Sequence, residues 1–202
     1  YEALSELREA PGAPDEAALV GLIEARSADL GEGPFPTRED RRDYVDRTSA
    51  ALMRIAARLL KPDLDLGGEA GAAIQAAGRL WGFAGLLRAF APLVQAGRPP
   101  YSADELAGAD MSEADLRAGR KPEVARAALS GLITEAQEAA GMLSRPRSAL
   151  PAEVFPAVGY ASLARGYLKS AQGLGDPFRE QIARGPLGQN ARLTWASLTG
   201  RV

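Results

Sequence analysis

Cysteine and histidine are both absent from the 202 residues of this chain. Without cysteine there is no disulfide framework, no thiolate nucleophile, no iron–sulfur cluster and no thiolate zinc site. Without histidine the commonest general base and the commonest metal ligand are missing as well. Any metal would have to be a hard ion held by carboxylates, with magnesium on a phosphate-bearing substrate as the natural case. Lysine is scarce, at Lys61, Lys121 and Lys169, and the 24 basic residues stand against 26 acidic ones. That near balance argues against a nucleic-acid protein, which gathers a basic excess on one face. Alternating apolar and polar runs rich in Val, Ile and Thr are lacking too, so the expected fold class is all-α. The longest apolar run, Leu80–Leu87, falls far short of the roughly 18 to 20 residues of a membrane span. Finally, no acidic residue lies between Glu69 and Asp104.

What is present is helical punctuation. Thr37 is an N-cap with Glu39 and Asp40 in the first turn, and Leu52, Ile55, Ala56, Leu59 and Leu60 follow at helical spacing up to Pro62. A second long helix is expected from Glu69 to Gln95, a third from Pro122 to Leu143 and a fourth from Pro151 to Ala171. Ser102 with Glu105 and Ser112 with Asp115 resemble capping boxes of short helices between them. Two short helices, 176–184 and 187–199, complete the expected order. The stretch Arg8–Asp15 reads as a loop, and the alternating charges Arg38–Asp43 read as a solvated helix start.

Gly78, Gly82 and Gly85 follow one another at spacings of four and three. Each glycine costs about 1 kcal/mol of helix propensity, so three in one helix need a reason. Tight packing is expected, with a ligand-facing surface as the alternative. Arg88, in the same otherwise apolar helix, needs a partner or a route to solvent. It either faces a cavity, pairing with an acid such as Asp29 or Asp46 or with an anionic ligand, or forms the solvated edge.

Three segments occur in an order and at spacings that resemble the squalene/phytoene synthase family: Leu22-Ile23-Glu24-Ala25-Arg26-Ser27-Ala28-Asp29-Leu30, then Tyr44 to Leu52, then Ala77-Gly78 to Arg88. Pro151–Leu168 and Gly185–Trp195 look like its late helices, the latter in a non-canonical branch that includes a mitochondrial complex I assembly factor. The resemblance implies one domain over residues 1–202, an isoprenoid-synthase-like helical bundle around a central cavity. It also implies two or three further helices before Leu22, more than residues 1–20 are expected to hold. Catalytic members hold magnesium, and through it prenyl diphosphates, on two aspartate-rich motifs. Where active members carry glutamine, asparagine, arginine and two aspartates, this sequence has Gly82, Gly85, Arg88, Ala89 and Leu93. No register of that helix offers magnesium a carboxylate, and no catalytic or metal residue is assigned.

The resemblance puts Arg26, Asp29, Tyr44, Thr48, Gly82, Gly85 and Arg88 at a candidate cavity. It favours a catalytically degenerate protein that contacts subunits of respiratory NADH:quinone oxidoreductase, with no cofactor and no nucleic-acid partner. Its location is then cytoplasmic or peripheral on the inner membrane, in the matrix for a mitochondrial protein. The alternatives are a magnesium-dependent prenyl transferase and a prenyl-lipid binder whose cavity is not filled by Trp81 and Phe83. The last helix is amphipathic, with Leu187, Ala191, Thr194, Trp195 and Leu198 on one side, Arg192 on the other, and Arg184 and Arg201 flanking. Trp195 is expected to dock into the bundle, the alternative being a face for a membrane or a partner.

Overall fold

The computed structural model describes residues 2–144, 149–182 and 185–200. Its regular elements are helical: α1 (Glu2–Glu9), α2 (Glu16–Arg26), α3 (Arg38–Val45), α4 (Ala51–Leu60), α5 (Glu69–Arg88), α6 (Phe90–Gln95), α7 (Ala103–Gly108), α8 (Glu113–Arg117), α9 (Pro122–Ser144), α10 (Phe155–Val158), α11 (Ala161–Gln172) and α12 (Pro186–Thr199). The all-α expectation holds, and among the described residues the β-type pairing is one isolated parallel bridge between Phe35 and Ser102. The expected loop before α2 spans residues 10–15, and α1 covers its first positions.

Thr37 starts α3 with a full capping box: its hydroxyl accepts the Asp40 amide at 3.1 Å, and the Asp40 carboxylate accepts the Thr37 amide at 2.9 Å. The rod then runs to Leu60, interrupted by a wide π-turn at Asp46–Ala50. That turn corrects the expected apolar stripe. With one extra residue in it, the inward positions are Arg41, Val45, Ala50, Met53 and Ala57, all buried. Leu52 and Leu60, which a regular helix would bury, are 53% and 44% exposed, and Ile55, Ala56 and Leu59 are only half-buried.

Helix α5 is the central element, packed against α3, α4, α9, α10 and α11. Its buried residues, among them Ala73, Ile74, Ala77, Leu80, Phe83, Ala84 and Leu87, surround most of its circumference. A fully buried leucine or phenylalanine contributes about 1.5–3 kcal/mol, so this helix carries a large share of the core. The expected single helix to Gln95 is corrected to two, because Pro92 has no amide for the Arg88 carbonyl and its ring crowds that turn; the chain breaks at Ala89 and restarts at Phe90. The expected fourth helix is likewise split. A 3₁₀ turn (Ala152–Val154) and α10, with Pro156 in its first turn, precede a step at Gly159–Tyr160 into α11. The helix expected at 176–184 is absent from its described part. The Glu180 carboxylate accepts the amides of Gly175 and Asp176, and that of Asp176 accepts the Phe178 amide, which takes the donors a helix would use. Ala183 and Arg184 lie outside the described residues.

The charge run at Arg38–Asp43 is not simply a solvated helix start. Arg41 is 0% exposed. Its guanidinium donates to Glu135 Oε2 from Nε at 2.8 Å, to Glu105 Oε1 from Nη2 at 3.0 Å and to the Pro100 carbonyl from Nη1 at 2.9 Å. Arg38 Nε lies 2.9 Å from Glu105 and Arg42 Nε 2.6 Å from Glu135, so each buried carboxylate also meets a cation reaching in from solvent. Burial would push the Glu105 carboxyl up, but hydrogen bonds from Arg41 and from the Ser102 amide, with the charges of Arg41 and Arg38, hold it below its ordinary value. The cluster ties α3, α7 and α9 together.

Candidate functional site

A cleft of about 460 Å³ opens between the end of α2, the α3–π-turn segment and the α5–α6 wall. Arg26, Asp29, Tyr44, Thr48, Ser49, Trp81, Gly82, Gly85, Leu86, Ala89, Leu93 and Arg98 line it. A neighbouring lobe of about 260 Å³, lined also by Phe35 and the 31–36 loop, shares Asp29, Tyr44, Leu86, Leu93 and Arg98 with it.

Local structure explains how these residues meet. α2 ends at Arg26 and tightens into a 3₁₀ turn, Ser27–Leu30, which brings Asp29 back beneath Arg26. α6 ends in a Schellman arrangement: the Gly97 amide reaches the Val94 carbonyl at 3.0 Å and the Arg98 amide reaches the Leu93 carbonyl at 2.8 Å. Gly97 has φ +73°, where a side chain would be strained, and this turn aims Arg98 at the 3₁₀ turn. Backbone bonds from Gly33 to Gly97, Phe35 to Tyr101 and Ala103 to Phe35 hold the two loops side by side.

The polar end of the cleft is one connected group. Tyr44 Oη donates to Asp29 Oδ1 at 2.8 Å, and Arg26 Nη1 donates to both Asp29 Oδ2 and Tyr44 Oη at 3.1 Å. Arg98 Nη1 donates to the Asp29 carbonyl and lies 3.6 Å from its carboxylate. Burial, reinforced by the hydrogen bond to Asp29, pushes the Tyr44 phenol up to about 12, so it stays protonated as a donor across the physiological range. Burial would lower Arg26, but Asp29 and Tyr44 outweigh it and the guanidinium is held charged. Two cations thus face one carboxylate, leaving this end with a positive excess.

The rest of the lining is apolar apart from Ser49 and Thr48, whose hydroxyl donates to the Tyr44 carbonyl at 2.6 Å. Trp81 packs on Tyr160 and Tyr167 with ring centroids at 5.5 and 6.3 Å, forming a wall and leaving the cleft open. Phe83 is buried in the core and does not line the cleft. A Cβ on Gly85 would meet nothing within 4 Å, whereas one on Gly82 would stand 2.7 Å from Val45 Cγ1 and one on Gly78 2.3 Å from Ala50 Cα. Two of the three glycines therefore serve helix contact, and the third opens the cleft floor.

The residues present do not fit a magnesium centre. Among the described residues no group of three carboxylates, histidines or cysteines is close enough to hold a metal ion. Asp29 is the one acid lining the larger lobe, and its oxygens are committed to Arg26, Tyr44 and Arg98. Glu32 lines the smaller lobe, with its carboxylate 3.7 Å from Arg117, and Asp46, outside both lobes, is taken by Arg79, both of whose contacts are 2.6 Å, and by Gln75 at 2.8 Å.

Of the residues singled out from the sequence, Arg26, Asp29, Tyr44, Thr48, Gly82 and Gly85 line this cleft together. Arg88 does not. It is exposed and stacks 4.6 Å from the Tyr167 ring centroid, pairing with neither Asp29 nor Asp46. The sequence-based set lacks Arg98 and Trp81, although Gly97 followed by Arg98, after a helix with Pro92 in its first turn, is a legible C-cap signal. On α12, Trp195 is 57% exposed instead of docked, and Leu187 is 86% exposed. Arg192 is half-buried, its Nε 3.4 Å from the Ser162 carbonyl. Arg184 and Arg201 lie outside the described residues.

The comparisons with known proteins bear on the family and the fold. The family model described as squalene/phytoene synthase matches residues 1–195. Among solved structures, the chain is similar to squalene synthase HpnC from Alicyclobacillus acidocaldarius, with a TM-score of 0.61 and 21% sequence identity. The match covers 94% of this chain and 62% of that one, so the chain spans less than two thirds of its relative. At this identity the likeness concerns the all-helical fold. No curated protein matches in sequence.

Proposed function

Because the chain belongs to the squalene/phytoene synthase family, we propose that it is a member that acts by binding, without magnesium-dependent prenyl transfer, and that it serves the assembly of respiratory NADH:quinone oxidoreductase. One observation carries the non-catalytic part: the α5–α6 wall faces the cleft with Trp81, Gly82, Gly85, Leu86, Ala89 and Leu93, none of which can ligate magnesium. Diphosphate departure builds negative charge that a metal must neutralise, and two guanidiniums already engaged with Asp29 are a poor substitute. The assembly role rests on the resemblance to the assembly-factor branch, since a shared fold alone does not specify a function. Deleting the gene and resolving complex I on a native gel tests it; assembled complex at wild-type amounts would refute the role. Incubating the full-length protein with farnesyl or geranylgeranyl diphosphate and magnesium tests the transferase alternative, and the expected result is no squalene or phytoene.

A second reading, a binder of a prenyl or quinone-like lipid, is favoured by the open floor at Gly85 and by the division of the cleft into a cationic end and an apolar length. Mass spectrometry of lipid extracted from purified protein tests it. Recovery of no lipid above a Gly85→Trp control would count against it.

A further inference from the structure

The chain has three methionines, and the bundle treats one of them differently. Met53 and Met111 are buried, at 6% and 5% exposure, whereas Met142, near the end of α9, is 53% exposed. Met142 borders a cavity of about 180 Å³, lined also by Arg42, Arg79, Phe83, Glu135 and Glu138. A water takes up about 30 Å³ of the liquid and hydrogen peroxide is little larger, so a small peroxide fits beside this side chain. The cavity is separate from the cleft, which Met142 does not line.

The neighbour of the Met142 sulfur is Arg79 of α5, whose guanidinium is divided between two tasks. Its Nε and Nη2 hold the Asp46 carboxylate in a fork, both contacts at 2.6 Å. Nη1 meets the Met142 sulfur at 4.0 Å, and among the described residues it has no other hydrogen-bond partner. A thioether is a weak acceptor, so a charged N–H is fixed in place with its hydrogen-bonding capacity largely unused. Adding one oxygen to the sulfur supplies a polar acceptor at that spot, on a side chain whose change empties no core position. The same oxygen on Met53 or Met111 would bury a polar group among apolar neighbours.

We propose that Met142 is a site of reversible oxidation to the sulfoxide, and that Arg79 receives the new oxygen and so ties the end of α9 to the π-turn through Asp46. A peroxide supplies the atom. The sulfur lone pair takes the terminal oxygen as the O–O bond breaks, and the departing hydroxide takes the proton of the transferred oxygen and leaves as water. The thioether is oxidised by two electrons and the peroxide is reduced; methionine sulfoxide reductases reverse the change, one enzyme for each epimer. Because Arg79 donates from one side, one epimer forms in excess. The test is treatment of the full chain with hydrogen peroxide, followed by peptide mass spectrometry and by repair with each reductase. In the folded protein Met142 is expected to oxidise about tenfold faster than Met53 and Met111, with one epimer in about threefold excess. Both preferences are expected to vanish in urea, and the oxidised protein is expected to melt no lower than the reduced one. Arg79→Lys keeps a cation at Asp46 without the second donor edge and is expected to bring the epimers to parity. Equally fast oxidation of a buried methionine, wild-type epimers at parity, an unchanged excess in the folded variant, or a lower melting temperature after oxidation would overturn the proposal. The wild-type epimer ratio, compared in buffer and in urea, decides the question even where the variant does not fold.

Discussion

A Cβ built on Gly78 would stand 2.3 Å from the Cα of Ala50 and 2.7 Å from its Cβ. The central helix and the π-turn thus touch backbone to backbone, and neither residue has room to grow. Gly78→Ala is expected to cost about 1–3 kcal/mol by overpacking, despite alanine's better helix propensity. Gly85→Ala, with open space around it, is expected to gain up to about 1 kcal/mol. Urea unfolding of both variants measures the contrast, and equal midpoints would refute it.

Arg41 is the common partner of two buried carboxylates. Arg41→Met leaves Glu105 and Glu135 buried with one cation less, and a loss of about 3–5 kcal/mol is expected. Arg42→Gln removes a half-exposed partner and should cost at most about 1 kcal/mol. Denaturant midpoints at neutral pH distinguish the two; comparable losses would mean that the cluster does not concentrate its energy at Arg41.

The same cluster sets an acid limit. Glu105 is held below its ordinary value of 4.5 when folded, so its contribution is complete above that pH and is lost as pH falls toward the folded value. Asp115, lowered to about 2 chiefly by the hydrogen bonds it accepts from Ser112, adds an effect of the same sign between 3.8 and about 2. The melting temperature is expected to fall steadily from pH 5 to pH 2, and Glu105→Gln should flatten that slope while lowering the plateau. An unchanged slope in the variant would assign the acid transition elsewhere.

The cleft can be closed without touching the core. Gly85→Trp places a ring in the open floor and should abolish retention of any apolar ligand while the melting temperature stays within a few degrees of wild type. Arg98→Ala releases the carbonyl and carboxylate of Asp29 and should weaken binding of an anionic ligand more than of a neutral one. Isothermal titration with a short-chain prenyl phosphate and the matching alcohol compares the two; equal losses would show that Arg98 reads shape and not charge.

Much of this architecture is written in local signals. Thr37, Ser102 and Ser112 each form a capping box, because their hydroxyls and the acid three residues on satisfy amides that a helix start leaves unpaired. The acid-free stretch after Glu69 is legible as composition, and the chemistry of the cleft wall follows from it. Pro92 carries the break at Ala89 just as plainly, but a long apolar run masks it. Arg41 is of another kind: its burial depends on Glu105 and Glu135, 64 and 94 residues away, and no local pattern announces such partners. The outward turn of Trp195 on α12 is also invisible to periodicity, which finds an apolar face without saying which way it turns.

The π-turn at Asp46–Ala50 sets the spacing of the whole bundle. By advancing the helix one residue, it exchanges a leucine-rich stripe for Ala50, Met53 and Ala57 at the α5 interface. The rod gives up bulk and gains proximity, and the displaced leucines become an outer apolar rail. Deleting one residue within the turn would rotate that rail into a seam cut for alanine, so a length change of a single amino acid here acts as a change of gauge.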